Sequence, residues 1–263
     1  MSEPRILVTN DDGIESPGFR ALYEALEDVG DPVAVAPYSN QSAVGRARSF
    51  EATVHEYDLG YAVEGTPVDC VIAGVEALCP DVDVVVAGCN KGANLGSYVM
   101  GRSGTVSAAV EATFFDVPAI AVSQYVPTTE DEEFENITPP KEAYADACEA
   151  AAYLVEESLD SGVFAEADYL NVNAPAPDAV EGRPPMTVTE PSPLYAMSAA
   201  FDGESIRLED NIWQRMQNGD IPDEDGTDRR AVVDGEISVS PLAAPHSVER
   251  HDHLDDLAAL YAE

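Results

Sequence analysis

The chain has 263 residues, 45% of them hydrophobic, with 50 acidic against 13 basic side chains and a formal net charge of −37. That length and apolar content suit one large domain, or one domain with an appendage, and argue against a disordered chain. The acids are spread along the chain, so the charge points to a halophile, in which molar salt shrinks the Debye length to ~3 Å and relieves carboxylate repulsion, and it argues against duplex nucleic acid as a partner.

In chain order, residues 5–10 (RILVTN) read as a buried parallel strand that stops at Asp11-Asp12-Gly13. A helix follows, with Ser16 as cap, Pro17 in the first turn, Phe19, Leu22 and Leu26 on one face and Gly30 at its end. Residues 32–36 give a second strand before the polar stretch 37–49, and residues 52–64 read as extended. Thr66, Pro67 and Asp69 form a capping-box start to a helix ending near Leu78. The strongest core strand is 83–87 (DVVVA), which empties into the loop GCNKGANLGSYVMGRSG. Ser103-Gly104-Thr105 opens a helix through Phe115, and 118–123 is a further strand.

Residues 127–140 are acidic and rich in Pro and Thr, hence a solvated loop, followed by a helix at 141–158 and a strand at 169–172. Beyond Pro175 the pattern weakens to an extension containing hairpins, with strands at 187–189 and 237–241, an acidic loop at 219–228 and a closing amphipathic helix at 252–261. The repeated strand, loop, helix units predict an α/β fold: a three-layer, Rossmann-like, mostly parallel sheet. Residues 1–175 are expected to form the Rossmann-like core, which would carry any active site, and 176–263 a C-terminal hairpin and helix extension of the same domain. No run approaches the ~18 apolar residues of a membrane span, and no basic-then-apolar leader precedes the first strand, so a cytoplasmic protein with no membrane partner is expected. Cys70, Cys79, Cys89 and Cys148 lack CxxC spacing and read as buried free thiols.

In an open parallel sheet the ligand sits at the carboxyl ends of the strands. Three loops meet there: one with Asn10, Asp11 and Asp12, one with Asn40, Gln41 and Ser42, and one with Asn90, Lys91, Asn94 and the Ser103-Gly104-Thr105 turn. Adjacent carboxylates at a strand end suit a hard divalent cation, with Asn and Ser oxygens completing its shell; the same Asp-Asp-Gly is also a turn former. Between Arg20 and Lys141 the only basic residues are Arg46, Arg48, Lys91 and Arg102, all in the two other loops. Scarce cations beside a metal loop, and a Ser-Gly-Thr helix start, point to an anionic phosphate substrate. The plainer alternatives are that Ser103 is only an N-cap and that the arginines pair with surface acids.

These residues carry a resemblance. VTNDDGIESPGFRAL, the NQS of APYSNQSAVGRARSF, EGTPVDCV and GCNKGANLGSYVMGRSGTVSAAVEA, followed by NVNAP at 171–175 and TDRRAVVDGEISVSPL at 227–242, resemble the survival protein SurE family of nucleotidases in order and spacing across most of the chain. The resemblance implies hydrolysis of nucleoside 5′- and 3′-monophosphates with one divalent ion, Mg²⁺ or Mn²⁺. It implies Asp11, Asp12, Ser42 and Asn90 as metal ligands, with the two aspartates catalytic, and Asn94, Ser103, Gly104 and Thr105, beside Asn10, at the phosphate. It also implies a homodimer or homotetramer assembled through the extension after Pro175. Arg46, Lys91 and Arg102 are candidate charge stabilisers. The chain departs from the family pattern at Ala43, where glycine is frequent, at Tyr38, where an acid is frequent, and at Cys89, where a branched apolar residue is common.

The acids are neighbours rather than two residues apart, which favours direct attack by water over a phospho-aspartyl intermediate. A non-enzymatic nucleotide-binding or sensing module on the same sheet is the alternative reading. A dinucleotide oxidoreductase fails for want of GxGxxG after the first strand. A zinc hydrolase fails because His55, His246, His251 and His253 lie outside these loops.

Overall fold

The computed structural model describes residues 3–128, 134–177 and 179–244. Strand β1 (Arg5–Thr9) is central, and its alternation sorts the core: Ile6 and Val8 face one side of the sheet and Leu7 the other. Helix α1 (Pro17–Leu26) begins at Ser16, whose hydroxyl accepts the Phe19 N–H at 3.4 Å. Its buried Phe19, Leu22 and Leu26 recur at three- and four-residue spacing on the sheet face. Each such side chain contributes ~1.5–3 kcal/mol on burial.

Strand β2 (Asp31–Pro37) pairs parallel to β1, and the extended stretch resolves into an antiparallel hairpin of β3 (Thr53–Tyr57) and β4 (Gly60–Glu64), with β4 parallel to β2. Helix α2 (Pro67–Ala73) carries the expected capping box between Thr66 and Asp69; its last turn, Gly74–Leu78, widens to π geometry. Strand β5 (Val84–Lys91) is longer than expected, taking in the first residues of the anticipated loop. Its pairing with β6 (Ala119–Gln124) resumes beyond a bulge between Ala87 and Asn90. Gly88 permits this: at φ 145°, a Cβ there would lie 2.3 Å from the Val122 carbonyl oxygen.

A short helix α3 (Ser97–Met100) and then α4 (Gly104–Thr113) follow, the latter capped by Ser103. The expected helix at 141–158 starts as a 3-10 turn, Lys141–Tyr144, and continues as α5 (Ala145–Ser158). Helices α1 and α5 cover one face of the sheet, α2 and α4 the other, giving the three layers expected. The four cysteines are buried and free.

After β7 (Tyr169–Ala174) come β8 (Met186–Val188), the hairpin β9 (Met197–Phe201) and β10 (Ile206–Asp210), two short helices α6 (Ile212–Gln217) and α7 (Asp228–Val233), and β11 (Ile237–Leu242). Neither α6 nor α7 was expected from the sequence. The main sheet runs β3-β4-β2-β1-β5-β6-β7-β11-β8, parallel from β4 to β7, with β11 antiparallel to β7 and β9–β10 a separate ribbon. The helix expected at 252–261 lies outside the described residues, and among those described no helix is long and apolar enough to cross a membrane. The chain leaves β1 toward β2 and β4, then returns to β5 on the other side. The β1/β5 boundary is therefore the topological switch point, where a crevice opens at the strand ends.

Candidate active site

A cavity of about 420 Å³ lies at that crevice, within the ~300–1,000 Å³ usual for small-molecule sites. Asp11, Ser42, Asn90, Lys91, Asn94, Arg102 and Ser103 line it. Asp11 follows β1 and is almost wholly buried; its Oδ1 accepts the Thr105 hydroxyl at 2.5 Å, and its backbone oxygen accepts the Gln41 N–H at 2.6 Å. Asp12 accepts the Lys91 N–H at 2.8 Å and the Ser42 hydroxyl, so all three loops meet at the two carboxylates.

Burial, then the charge of Asp12, pushes the Asp11 carboxyl up to about 6. Burial likewise raises Asp12, against the Lys91 N–H and ammonium and the Ser42 hydroxyl. A buried carboxylate beside a half-buried one is a setting in which a cation's counter-charge offsets desolvation. Asn90 donates Nδ2 to the Gly92 carbonyl at 2.5 Å, so its amide oxygen is the end that could ligate a cation. Among the described residues no group of three or more His, Cys, Asp or Glu is placed to hold a metal. Two carboxylates with hydroxyl and amide oxygens form a hard-donor set that fits Mg²⁺ or Mn²⁺ rather than a thiophilic ion.

Other candidates sit behind this lining. Asn10 is fully buried and spends its amide N–H groups on the Gly13 carbonyl at 2.9 Å and Ser16 Oγ at 3.0 Å, so it shapes the Asp loop. Thr105 is fully buried against Asp11, and Gly104 lets α4 approach: a Cβ there would be 2.7 Å from the Asp11 Cβ and Oδ2. Ser103 is the N-cap, accepting the Val106 N–H at 3.0 Å, while also lining the cavity.

Arg46 pairs with Glu111 at 2.7 Å and lies 4.9 Å from the Phe114 ring centre; neither it nor Asp12 is among the residues that line the cavity, but Asp12 bonds to Lys91 and Ser42, which are. Lys91 remains in the lining, with Nζ donating to the Phe134 and Ile137 carbonyls at 3.1 Å each. Arg102 lies over the Tyr98 ring at 3.9 Å and donates to the Tyr98 carbonyl at 2.6 Å.

Several supporting residues escape sequence reasoning. Asn94 donates its N–H to Asn173 Oδ1 at 2.7 Å and its amide to Ser123 Oγ at 2.9 Å, while Asn171 and Asn173 donate to its carbonyl. The NVNAP segment of β7, with Ser123 of β6, therefore clamps the β5 loop. Asp228 accepts the Gly96 N–H at 2.6 Å and the Ser192 N–H at 2.9 Å, beside a buried Arg229–Asp223 pair at 2.9 Å. The motif in TDRRAVV was visible; its docking on Gly96, 132 residues away, was not.

The family model described as Survival protein SurE matches residues 6–192. The chain belongs to that family. A protein of Haloarcula marismortui named 5′-nucleotidase SurE is 62% identical over 99% of this chain and 96% of its own length. Like-named proteins of Haloquadratum walsbyi (57% identical, 100% of this chain and 99% of theirs) and Natronomonas pharaonis (58%, 97% and 99%) match as fully. The crystal structure of the Sure protein from Aquifex aeolicus superposes with a TM-score of 0.75 at 30% identity, covering 98% of this chain and 100% of that one. Of the motifs that carry the resemblance, those holding Asp11-Asp12, Ser42 and the Asn90–Thr105 stretch meet at the two carboxylates, while NVNAP and TDRRAVV brace the loop between them.

Proposed function

We propose that this cavity hydrolyses nucleoside 5′- and 3′-monophosphates to nucleoside and phosphate with the help of one divalent ion, Mg²⁺ or Mn²⁺. The chain is a 5′-nucleotidase by family; the metal dependence, the 3′ activity and the residue roles are this reading's own. One observation supports it: Asp11, Ser42 and Asn90, from three loops, line one cavity at the switch of the sheet, and Asp12 accepts from the Ser42 hydroxyl and the Lys91 N–H beside it.

Asp11 and Asp12, with the Ser42 and Asn90 oxygens, would hold the ion, which supplies Lewis-acid contact to a phosphoryl oxygen and makes a nucleophilic water available at neutral pH. Asp12, held by the Lys91 N–H, orients the attacking water or takes its proton, in line with the leaving ribose oxygen. Ser103 and Asn94 position the phosphoryl group, and Lys91 and Arg102 offset charge on its equatorial oxygens from preset positions, at little reorganisation cost. The exposed apolar side chains Phe201, Ile206 and Leu208 on the β9–β10 ribbon support assembly of a homodimer or homotetramer through the extension.

The test is phosphate release from a panel of nucleoside monophosphates in molar KCl with Mn²⁺, Mg²⁺ or chelator, on wild type and Asp12→Asn together. Release that requires metal and falls by several orders of magnitude in D12N is expected. Near-normal turnover in that variant sinks the assignment of Asp12, and monophosphate retained intact by folded wild type returns the chain to a binding module.

A further inference from the structure

We propose that the apolar side of the same cavity is a nucleobase slot, with Trp213 as its stacking wall and Gln217 reading the base edge; this rests on the nucleotidase reading above. Trp213 and Gln217 are four residues apart on α6, the spacing that sets two side chains on one face, and both line the cavity. The adjoining face of α6 is buried through Ile212 and Met216, and Met216 belongs to a core cluster with Tyr125 and Val232 against which the half-buried Trp213 also packs. That packing limits the roll of the helix and holds the Trp213 ring where it lines the cavity.

Tyr125 and Phe134 add aromatic surface to the same lining. Tyr125 stands just beyond β6, two strands from β1 and Asp11. Two strand spacings amount to ~10 Å, the order of the reach from phosphate to base within one nucleotide. Asp11 and the aromatic side chains thus line one crevice, with Phe134 beside Lys91 and Tyr125 and Trp213 farther along its lining. Gln217 donates its side-chain N–H to the Thr128 hydroxyl, which holds the amide in place while its remaining N–H and its oxygen stay available for a base edge. An aromatic wall accepts every base because every base has a π face, and a purine covers more of it. The slot therefore distinguishes nucleotides from simple sugar phosphates more strongly than it distinguishes one base from another.

Trp213 is the only tryptophan in the chain, so its emission reports on the slot directly. Wild type is titrated with adenosine and with ribose 5-phosphate, and hydrolysis of adenosine 5′-monophosphate and ribose 5-phosphate is measured for wild type, W213A and W213F. Adenosine is expected to quench emission and ribose 5-phosphate to leave it unchanged. W213A is expected to lower kcat/KM for the nucleotide about tenfold more than for ribose 5-phosphate, mainly through KM, with W213F restoring most of the difference. Emission indifferent to adenosine, or an equal fall for both esters, overturns the slot while the nucleotidase reading stands. Wild type that hydrolyses neither ester overturns that reading and the slot with it.

Discussion

Ala43 adopts φ 61°, the left-handed region, beside the ligand candidate Ser42. The family resemblance places glycine here, and the backbone gives the reason, since a Cβ in this region costs ~1–2 kcal/mol. Glycine would relieve that strain but add ~0.4–1 kcal/mol of unfolded-state entropy. Ala43→Gly is therefore expected to stabilise by at most ~1 kcal/mol, a Tm rise of ~2–4 °C by calorimetry; a lower Tm would show that the loop already accommodates the methyl group. Gly104 is the opposite case. Gly104→Ala places a methyl against the Asp11 carboxylate, so activity should collapse while circular dichroism stays native. At this scale the sequence revealed which residue types gather in the loops, but not which face the cavity. Only the structure shows Asn10 spent on Gly13 and Ser16, Thr105 on Asp11 and Arg46 on Glu111, none of the three in the cavity lining that includes Asp11.

At the scale of elements, the α2 cap was legible because Thr66, Pro67 and Asp69 are neighbours in sequence and the motif closes locally. Burial works to raise the Asp69 carboxyl, but the Thr66 and Ser49 N–H groups it accepts outweigh it and hold it below the ordinary range. Its contribution is thus complete above the unfolded carboxylate pKa and is lost as pH falls through the lower folded value. Asp69→Ala should cost ~1 kcal/mol at neutral pH, with the gap to wild type closing in acid; a gap independent of pH would contradict the cap. Helix α6 was not legible, because six residues, IWQRMQ, are too few for a helical period to register. It is held by burial of Ile212 and Met216. Helix α7 is likewise held by tertiary contacts, chiefly the Arg229–Asp223 pair and the Asp228 hydrogen bonds. Removing one partner leaves a buried charge, so Arg229→Met should cost ~3–5 kcal/mol in a denaturant melt.

Over the whole molecule, a net charge of −37 makes folding work against self-repulsion that salt screens. Going from 0.1 M to 1 M KCl shortens the Debye length from ~10 to ~3 Å, so Tm should climb steeply over that range. A flat response would dispose of the halophilic reading. The amino-acid order alone determined the parallel core, its helix caps and the three loops that carry the polar residues, because apolar runs, caps and turns are written over a few neighbouring residues. Only the tertiary structure decided that β5 bulges past Gly88 to aim Asn90, that Asn171, Asn173 and Asp228 clamp the loop between β5 and α4, and that Trp213 enters the cavity. Those contacts join residues scores of positions apart, and their energy comes from burial and hydrogen bonding that exist only once the sheet has closed.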